Sequence, residues 1–323
     1  MYKMKNIAIF TSGGDAPGMN AAIRAITRAA LQEQLNVYGI YNGYQGMIDD
    51  EFIQLNKKSV GNIIHRGGTI LKSARSQEFL TEEGRAKAYQ NLLKHKIDAV
   101  IAIGGDGTFA GATQFTKEFN IPFVGLPGTI DNDLFGTDFT IGYKTAVQTA
   151  VECVDKIRDT ANAFKRIFFI EVMGRDVGTI ALATGIATGA EDIFIPETQT
   201  NLSDLSERML KGKDKESYII IVAEGDESGG AVEVAKKFKA LHPTYDIKTL
   251  VLGHLLRGGN PIADDRIMAS RMGMAAIESL INGEYNIMIG IHHDKILKTP
   301  LHLCKKHFLQ INEEYKNLIY TLS

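Results

Sequence analysis

The stretch Ala99-Val-Ile-Ala-Ile-Gly-Gly-Asp-Gly-Thr108 decides how this chain is read. Its first five residues are continuously apolar, the pattern of a strand covered on both faces. The next five predict a glycine-rich turn from that strand into a helix. Glycines let the backbone approach a phosphate, and the N–H groups at a helix start favour an anion. Asp106 would repel a bare phosphate. Its functional reading is therefore contact with a Mg²⁺ ion carried on the phosphates. The structural alternative is a plain βα turn with Asp106 as N-cap.

The same pattern recurs along the chain. Strands are predicted at Ile7–Phe10, Val37–Ile40, Ala99–Ile103, Phe123–Leu126, Ile167–Val172, Tyr218–Ala223, Thr249–Leu252 and Ile287–Ile291. Helical spacing fills Ala21–Leu31, Glu82–Leu93, Thr145–Asp159 and Arg266–Ile281. Repeated β-α-β units predict an α/β fold with mainly parallel, three-layer sheets and right-handed crossovers. A polar motif follows each of six strands: Thr11-Ser-Gly-Gly-Asp15, Gly104–Thr108, Pro127-Gly-Thr-Ile-Asp-Asn-Asp133, Met173-Gly-Arg175, Glu224-Gly225 and Gly253-His-Leu-Leu-Arg-Gly-Gly259. Ligands of open parallel sheets bind outside the carboxyl ends of strands, so these motifs mark the expected site.

Bulk properties narrow the function classes. The 323 residues predict about two domains. A formal net charge of -2 supplies no basic excess for nucleic acid, so an anionic ligand must be held by local clusters. The two cysteines, Cys153 and Cys304, have no metal-site spacing and read as reduced thiols. No window approaches the roughly 20 apolar residues of a membrane span, and no signal-type stretch precedes the first strand, so a cytoplasmic protein is expected. The first loop lacks G-x-G-x-x-G spacing, no acidic residue ends the second strand, and no P-loop motif occurs, which speaks against dinucleotide-binding and P-loop folds.

Individual residues then suggest chemistry. Thr129-Ile-Asp-Asn-Asp133 sets two carboxylates and an amide in one turn. A hydroxyl attacking a phosphoryl group needs such a base, although an Asx-rich surface turn has the same composition. Arg75, Arg166, Arg175 and Arg257 lie in or near loops and could pair with phosphate, or simply be solvated. His254 is a candidate donor to a sugar or phosphate, or a structural histidine. Arg24 and Arg28 share a helix face and mark either a second anion site or a solvated face.

Taken in order, these motifs resemble the bacterial ATP-dependent 6-phosphofructokinase family over nearly the whole chain, more weakly after about Ile291. The resemblance implies a two-domain phosphofructokinase-like fold. Residues 1–141 plus 255–304 would bind ATP, residues 142–254 plus 305–323 would bind the sugar phosphate, and the catalytic cleft would lie between them. It implies that Gly14, Arg75, Ser76, Gly105, Gly107 and Thr108 contact ATP and that Asp106 holds Mg²⁺. It implies that Asp131 takes the proton from the 1-hydroxyl of fructose 6-phosphate while Thr129 and Arg175 steady the moving phosphoryl group. Ile130, Met173, Gly174, Glu224, His254 and Arg257 would contact the sugar phosphate. Arg166 and Lys248 would reach it from a neighbouring subunit of a homotetramer. An effector site would use Arg24, Arg28, Arg158, Glu191, Lys213 and Lys215.

Some positions depart from the family pattern. Lys248 stands for an Arg, and loses its two-pronged geometry, so a weaker hold on fructose 6-phosphate is expected. Leu256 replaces a usual Gln. Lys57, Asn62 and Glu216 alter the effector region, and the added negative charge predicts a blunted effector response. Pyrophosphate-using relatives typically carry Asp and Lys at the positions of Gly107 and Gly128, so small residues at both favour ATP. A pyrophosphate-dependent kinase, a non-catalytic nucleotide sensor and a kinase for another sugar phosphate such as tagatose 6-phosphate are the competing readings.

Overall fold

The computed structural model describes residues 4–211, 215, 217–307, 314, 318 and 321. The chain divides into two units: Met1–Thr145 with Arg257–His307, and Ala146–Leu256 with Phe308–Ser323. The backbone thus passes from one unit to the other three times.

The first unit is organised on an eight-stranded sheet. In spatial order its strands are Lys295–Pro300, Ile287–His292, Phe123–Thr129, Ala99–Gly104, Asn6–Thr11, Asn36–Ile40 and Phe52–Leu55, with Ile141–Gly142 pairing off this path onto the end of Phe123–Thr129. The inner pairings are parallel, with Ile9 beside Ile101 and Ile103 beside Leu126. The two edge strands, Phe52–Leu55 and Lys295–Pro300, run antiparallel to their neighbours. Neither edge strand is expected from apolar runs, because each carries mostly exposed or half-exposed residues instead of a continuous buried block.

Successive residues of the inner strands face opposite sides, as the pleat requires. Ala8, Phe10, Val100, Ala102 and Phe123 join Leu92, Phe109 and Phe115 in one apolar cluster. Ile7, Ile9, Ile101 and Ile103 on the alternate face are fully buried. Helices at Met19–Gln32 and Ala263–Ile281 pack together. Their contact is close because its residues are small: a Cβ on Gly273 would lie 2.9 Å from Ala25 Cβ. Each fully buried Ile or Phe contributes about 2–3 kcal/mol relative to an exposed position. The helix Glu82–Lys94 shows why local sequence suffices for some elements. Thr81 caps it by accepting from Gly84 N at 3.0 Å, with Glu82 and Glu83 in its first turn and Lys94 in its last.

Asp265 ties this unit together near its polar end. It is fully buried and accepts from Gly142 N at 3.0 Å, Thr145 N at 2.8 Å and the Thr145 hydroxyl. Asp265→Ala should therefore lower unfolding free energy by about 3 kcal/mol, since buried donors lose a charged acceptor. Asp265→Asn, which keeps one acceptor oxygen, should cost clearly less in the same urea titration. Equal losses for the two variants would contradict this account.

The second unit has a four-stranded sheet in the order Ile247–Val251, Ile167–Val172, Tyr218–Ala223, Asp192–Phe194, all pairings parallel. Phe169, Ile220, Val222 and Phe238 anchor its core. Among the described residues, no helix is long and apolar enough to cross a membrane.

Two boundary differences from the sequence expectation bear on the site. The strand beginning at Phe123 continues through Thr129, so Pro127 lies inside it. On one side the strand's partner changes around that proline: Ile287–Met288 pair with Val124–Gly125, and Ile141–Gly142 pair with Gly128–Thr129. A residue without an N–H is tolerated at such an interruption. The helix after Gly104 begins at Asp106 with Gly105 as N-cap, so Asp106 is the first helical residue and not the cap.

Candidate active site

The first unit carries a cavity of about 850 Å³ at the carboxyl ends of its central strands. Ser12, Gly13 and Gly14 follow the strand Asn6–Thr11, and Gly105, Asp106, Gly107 and Thr108 follow the neighbouring strand Ala99–Gly104. Gly128, Thr129 and Asp131 come from the next strand over, and Arg75, Ser76 and Arg257 complete the wall. Of the expected residues, Gly14, Arg75, Ser76, Gly105, Asp106, Gly107, Thr108, Thr129, Asp131 and Arg257 are thus brought together. Ile130 is fully buried and does not line this cavity.

Local chemistry holds these groups in place. Ser12 N donates to Ile103 O at 3.0 Å and the Ser73 hydroxyl to Gly13 O at 2.6 Å, fixing the first loop beside the second. Gly104 must be small, because a Cβ there would sit 2.6 Å from Ser12 O. Gly107 is different: a Cβ on it meets nothing within 4 Å. Gly14 lies against the Arg257 guanidinium, whose Nη1 is 2.3 Å from where a Cβ would be and donates to Asp15 O at 3.3 Å. The Thr129 hydroxyl lies 3.3 Å from Asp131 Oδ2 and accepts from Asp131 N at 3.3 Å.

The far wall of the cavity was not foreseen. Tyr44 stacks on Phe79 with ring centroids 3.9 Å apart, and its hydroxyl donates to Thr108 O at 2.6 Å. Arg85 donates to Glu118 at 2.7 Å and to the carbonyls of Phe79 and Leu80, at 3.1 and 2.8 Å. Ser76 donates to Gln45 Oε1 at 2.7 Å and accepts from Phe79 N at 3.0 Å, so Gln45 steadies the 74–80 segment. One signal was available: Gly107 and Gly111 stand one helical turn apart, an i, i+4 pair of missing side chains, and a Cβ on Gly111 would come 3.0 Å from the Tyr44 ring.

Asp133, two residues beyond Asp131, is buried, and burial pushes its carboxyl up to about 6. The negative charges of Asp131 and Asp106 add to the rise, against an opposing pull from Lys306. Because the folded value exceeds the ordinary one, the contribution of this group to stability is fully present below about pH 4 and is lost as pH rises through 6. Asp133→Asn should therefore gain stability over wild type between pH 4 and 7, by up to about 3 kcal/mol. Urea midpoints of the ligand-free proteins across that range check it, and a pH-independent difference would refute it.

The carboxylate chemistry also bears on a metal ion. Among the described residues, no group of three or more His, Cys, Asp or Glu side chains is placed to hold one. Asp106 and Asp131 nonetheless supply hard oxygen donors in the same cavity. Such a partial set fits Mg²⁺, which keeps several waters and binds through one or two carboxylates plus substrate phosphates.

In the second unit, Met173, Gly174 and Arg175 follow the strand Ile167–Val172, Glu224 follows its neighbour Tyr218–Ala223, and His254 follows Ile247–Val251 on the other side. The first two loops touch closely: Gly225 N donates to Gly174 O at 3.0 Å, and a Cβ on Gly225 would lie 1.8 Å from Arg175 O. Arg175, Glu224 and His254 are exposed. Leu256, where Gln was expected, is fully buried. Arg166 and Lys248 share one counter-ion, Asp246, at 2.6 and 2.9 Å. Of the expected effector residues, Arg158 and Lys215 both pair with buried Glu191, at 3.2 and 2.6 Å. Arg24 and Arg28 lie one turn apart on the helix Met19–Gln32. Lys213 lies outside the described residues, as does Glu216.

A family profile described as phosphofructokinase matches residues 6–280. The chain belongs to the phosphofructokinase family. ATP-dependent 6-phosphofructokinase 2 of Bacteroides thetaiotaomicron is 51% identical over 325 residues, covering 100% of both chains. ATP-dependent 6-phosphofructokinase 1 of Thermus thermophilus is 50% identical, covering 99% of this chain and 100% of its own. Among solved structures, the Pichia pastoris phosphofructokinase in the T-state superposes with a TM-score of 0.87 at 38% identity, over 94% of this chain. This chain spans only 35% of that yeast polypeptide. The phosphofructokinase fold accounts for the α/β architecture and its mainly parallel sheets.

Proposed function

We propose that this phosphofructokinase transfers the γ-phosphoryl group of ATP to the 1-hydroxyl of fructose 6-phosphate, giving fructose 1,6-bisphosphate and ADP. The observation that carries this reading is the shared cavity, where a Gly-Gly-Asp-Gly loop at a helix start and the carboxylate of Asp131 line one wall system. The names of the half-identical bacterial relatives support the same donor and acceptor.

In this mechanism Gly14, Gly105, Gly107 and Thr108 receive the phosphate chain, and Arg75 and Ser76 line its approach. Asp131 accepts the proton of the sugar 1-hydroxyl as that oxygen bonds to the γ-phosphorus and the bond to the ADP oxygen breaks. Thr129 holds the carboxylate to its task, since it already lies within hydrogen-bonding range. Arg175 and Arg257 supply positive charge, and Met173, Gly174, Glu224 and His254 contact the sugar phosphate. Phosphoryl transfer is largely positioning and charge stabilisation, which suits this set. Asp106 would hold Mg²⁺, which when bound neutralises phosphate charge.

Gly107 supports ATP over pyrophosphate, because the open space at its Cβ position leaves the cavity clear for a nucleotide. Gly128 carries less of that argument. Its Cβ would meet Ile103 Cγ2 at 2.9 Å and Met19 Cε at 3.1 Å, so the packing of this chain already demands a glycine.

Arg166 and Lys248 are proposed to serve the sugar phosphate of a neighbouring subunit in a homotetramer. Arg24, Arg28, Arg158, Glu191, Lys213 and Lys215 are proposed to form an effector site with a blunted response. Lys248→Arg should lower the apparent KM for fructose 6-phosphate a few-fold by restoring paired hydrogen bonds; an unchanged value in a steady-state titration would overturn that role. The function itself is tested by ADP release coupled to fructose 6-phosphate, run with ATP and with pyrophosphate as donors. Turnover with pyrophosphate and none with ATP would overturn it.

A further inference from the structure

We infer that Asn132 is a positioning residue that fixes the Asp131 carboxylate through Thr140, an inference that rests on Asp131 being the base proposed above. Asn132 adopts the left-handed conformation, φ 53°, where Asn is among the few tolerated side chains. This reverses the chain immediately after Asp131. Its side chain closes the turn from both ends. Asn132 Oδ1 accepts from Thr140 N at 2.8 Å, and Nδ2 donates to Asp138 O at 3.1 Å.

Thr140 completes a ring of bonds. It is fully buried, and its hydroxyl donates to Thr129 O at 2.6 Å. The residues on both sides of the Ile130-Asp131 pair are therefore fastened to one threonine: Thr129 by its carbonyl, Asn132 by its amide. The outer end of the loop is fixed as well. Asp138 N donates to Ile291 O at 2.7 Å, and its carboxylate accepts from His293 N at 2.7 Å. Asp131 thus projects from a short arc with both ends anchored. A base displaced by even a fraction of an ångström loses rate without losing substrate affinity.

The test compares Asn132→Gly, which keeps the positive φ but removes both side-chain bonds, with Thr140→Val, which removes the hydroxyl while preserving shape. Each is expected to lower kcat by about 10–100-fold with KM for ATP and for fructose 6-phosphate within threefold of wild type. Because both act through one ring, the double variant should be no more than about threefold slower than the worse single one. Thermal midpoints measured alongside separate this from unfolding, and Thr140→Val carries the test should Asn132→Gly fold poorly. The inference is overturned if the variants keep kcat within twofold of wild type, if both KM values rise as kcat falls, or if the losses multiply in the double variant. A wild-type protein that releases no ADP with fructose 6-phosphate overturns the parent reading and this one together, an outcome distinct from an active wild type with unaffected variants.

Discussion

Asp131→Ser is expected to lower kcat by about 10³-fold while leaving the KM for ATP within about twofold of wild type. The carboxylate stands in the cavity wall beside the Thr129 hydroxyl, at 3.3 Å, and its proposed task is to accept a proton from the attacking hydroxyl. In the proposed mechanism ATP is held by other residues, the two glycine loops and Arg75, so ground-state binding of the donor has little reason to change. Removal of an interaction used only in the transition state lowers kcat and kcat/KM together. Asp131→Asn, which keeps the shape without the basicity, should behave like Ser. ADP release at saturating concentrations of both substrates reads the effect. Retention of more than a tenth of wild-type kcat by both variants would remove Asp131 as the base.

Gly107→Asp is expected to lower kcat/KM for ATP by about 10³-fold without a loss of thermal stability. The two halves of this prediction have different origins. A Cβ at Gly107 meets nothing within 4 Å, and the position lies in the first turn of the helix Asp106–Phe119, where an acidic residue is welcome. The fold therefore accepts the change. The added carboxylate would stand beside Asp106 in a cavity that must admit a polyanion, and like charges brought together there cost several kcal/mol. At 1.36 kcal/mol per tenfold, 4 kcal/mol corresponds to about 10³-fold. Gly128→Ala provides the contrast: its Cβ would press on Ile103 and Met19, predicting about 1–3 kcal/mol of lost stability. An unfolded Gly107→Asp, or one with unchanged ATP kinetics, would sink the assignment.

Much of this site could be read before any coordinates, and the reason is physical. Polar Gly/Asp motifs stood directly after continuously apolar runs, and only a parallel sheet covered on both faces makes such runs and places such motifs at one edge. The two antiparallel edge strands escaped because Phe52–Leu55 and Lys295–Pro300 are half exposed and compositionally ordinary. Tyr44 and Phe79 escaped because an aromatic residue in a cavity wall has the same sequence signature as one in a core. The helix that carries Tyr44 is only Gly43–Ile48, too short for periodicity to speak. Asn132 was quoted but given no role, since its bonds go to Asp138 and Thr140, residues that nothing in the local spelling connects to it. Ile130, expected at the substrate, lies just past the strand Phe123–Thr129 and is fully buried.

The threefold passage of the chain between its two units governs the order in which a ribosome can complete them. The four strands of the second unit lie between Ile167 and Val251, one uninterrupted segment. Its sheet can form as soon as that segment has emerged. The first unit begins earlier, but its sheet is completed after the sheet of the second. Its helix Ala263–Ile281 and strands Ile287–His292 and Lys295–Pro300 emerge only after the whole of that segment. Until then one edge of the strand Phe123–Thr129 and the apolar side of the helix Met19–Gln32 lack their final cover. At roughly 5–20 residues per second, that nascent half waits several seconds or more for its last elements. The half of the molecule that holds the cavity is therefore the half most exposed to chaperones and to misassociation during synthesis.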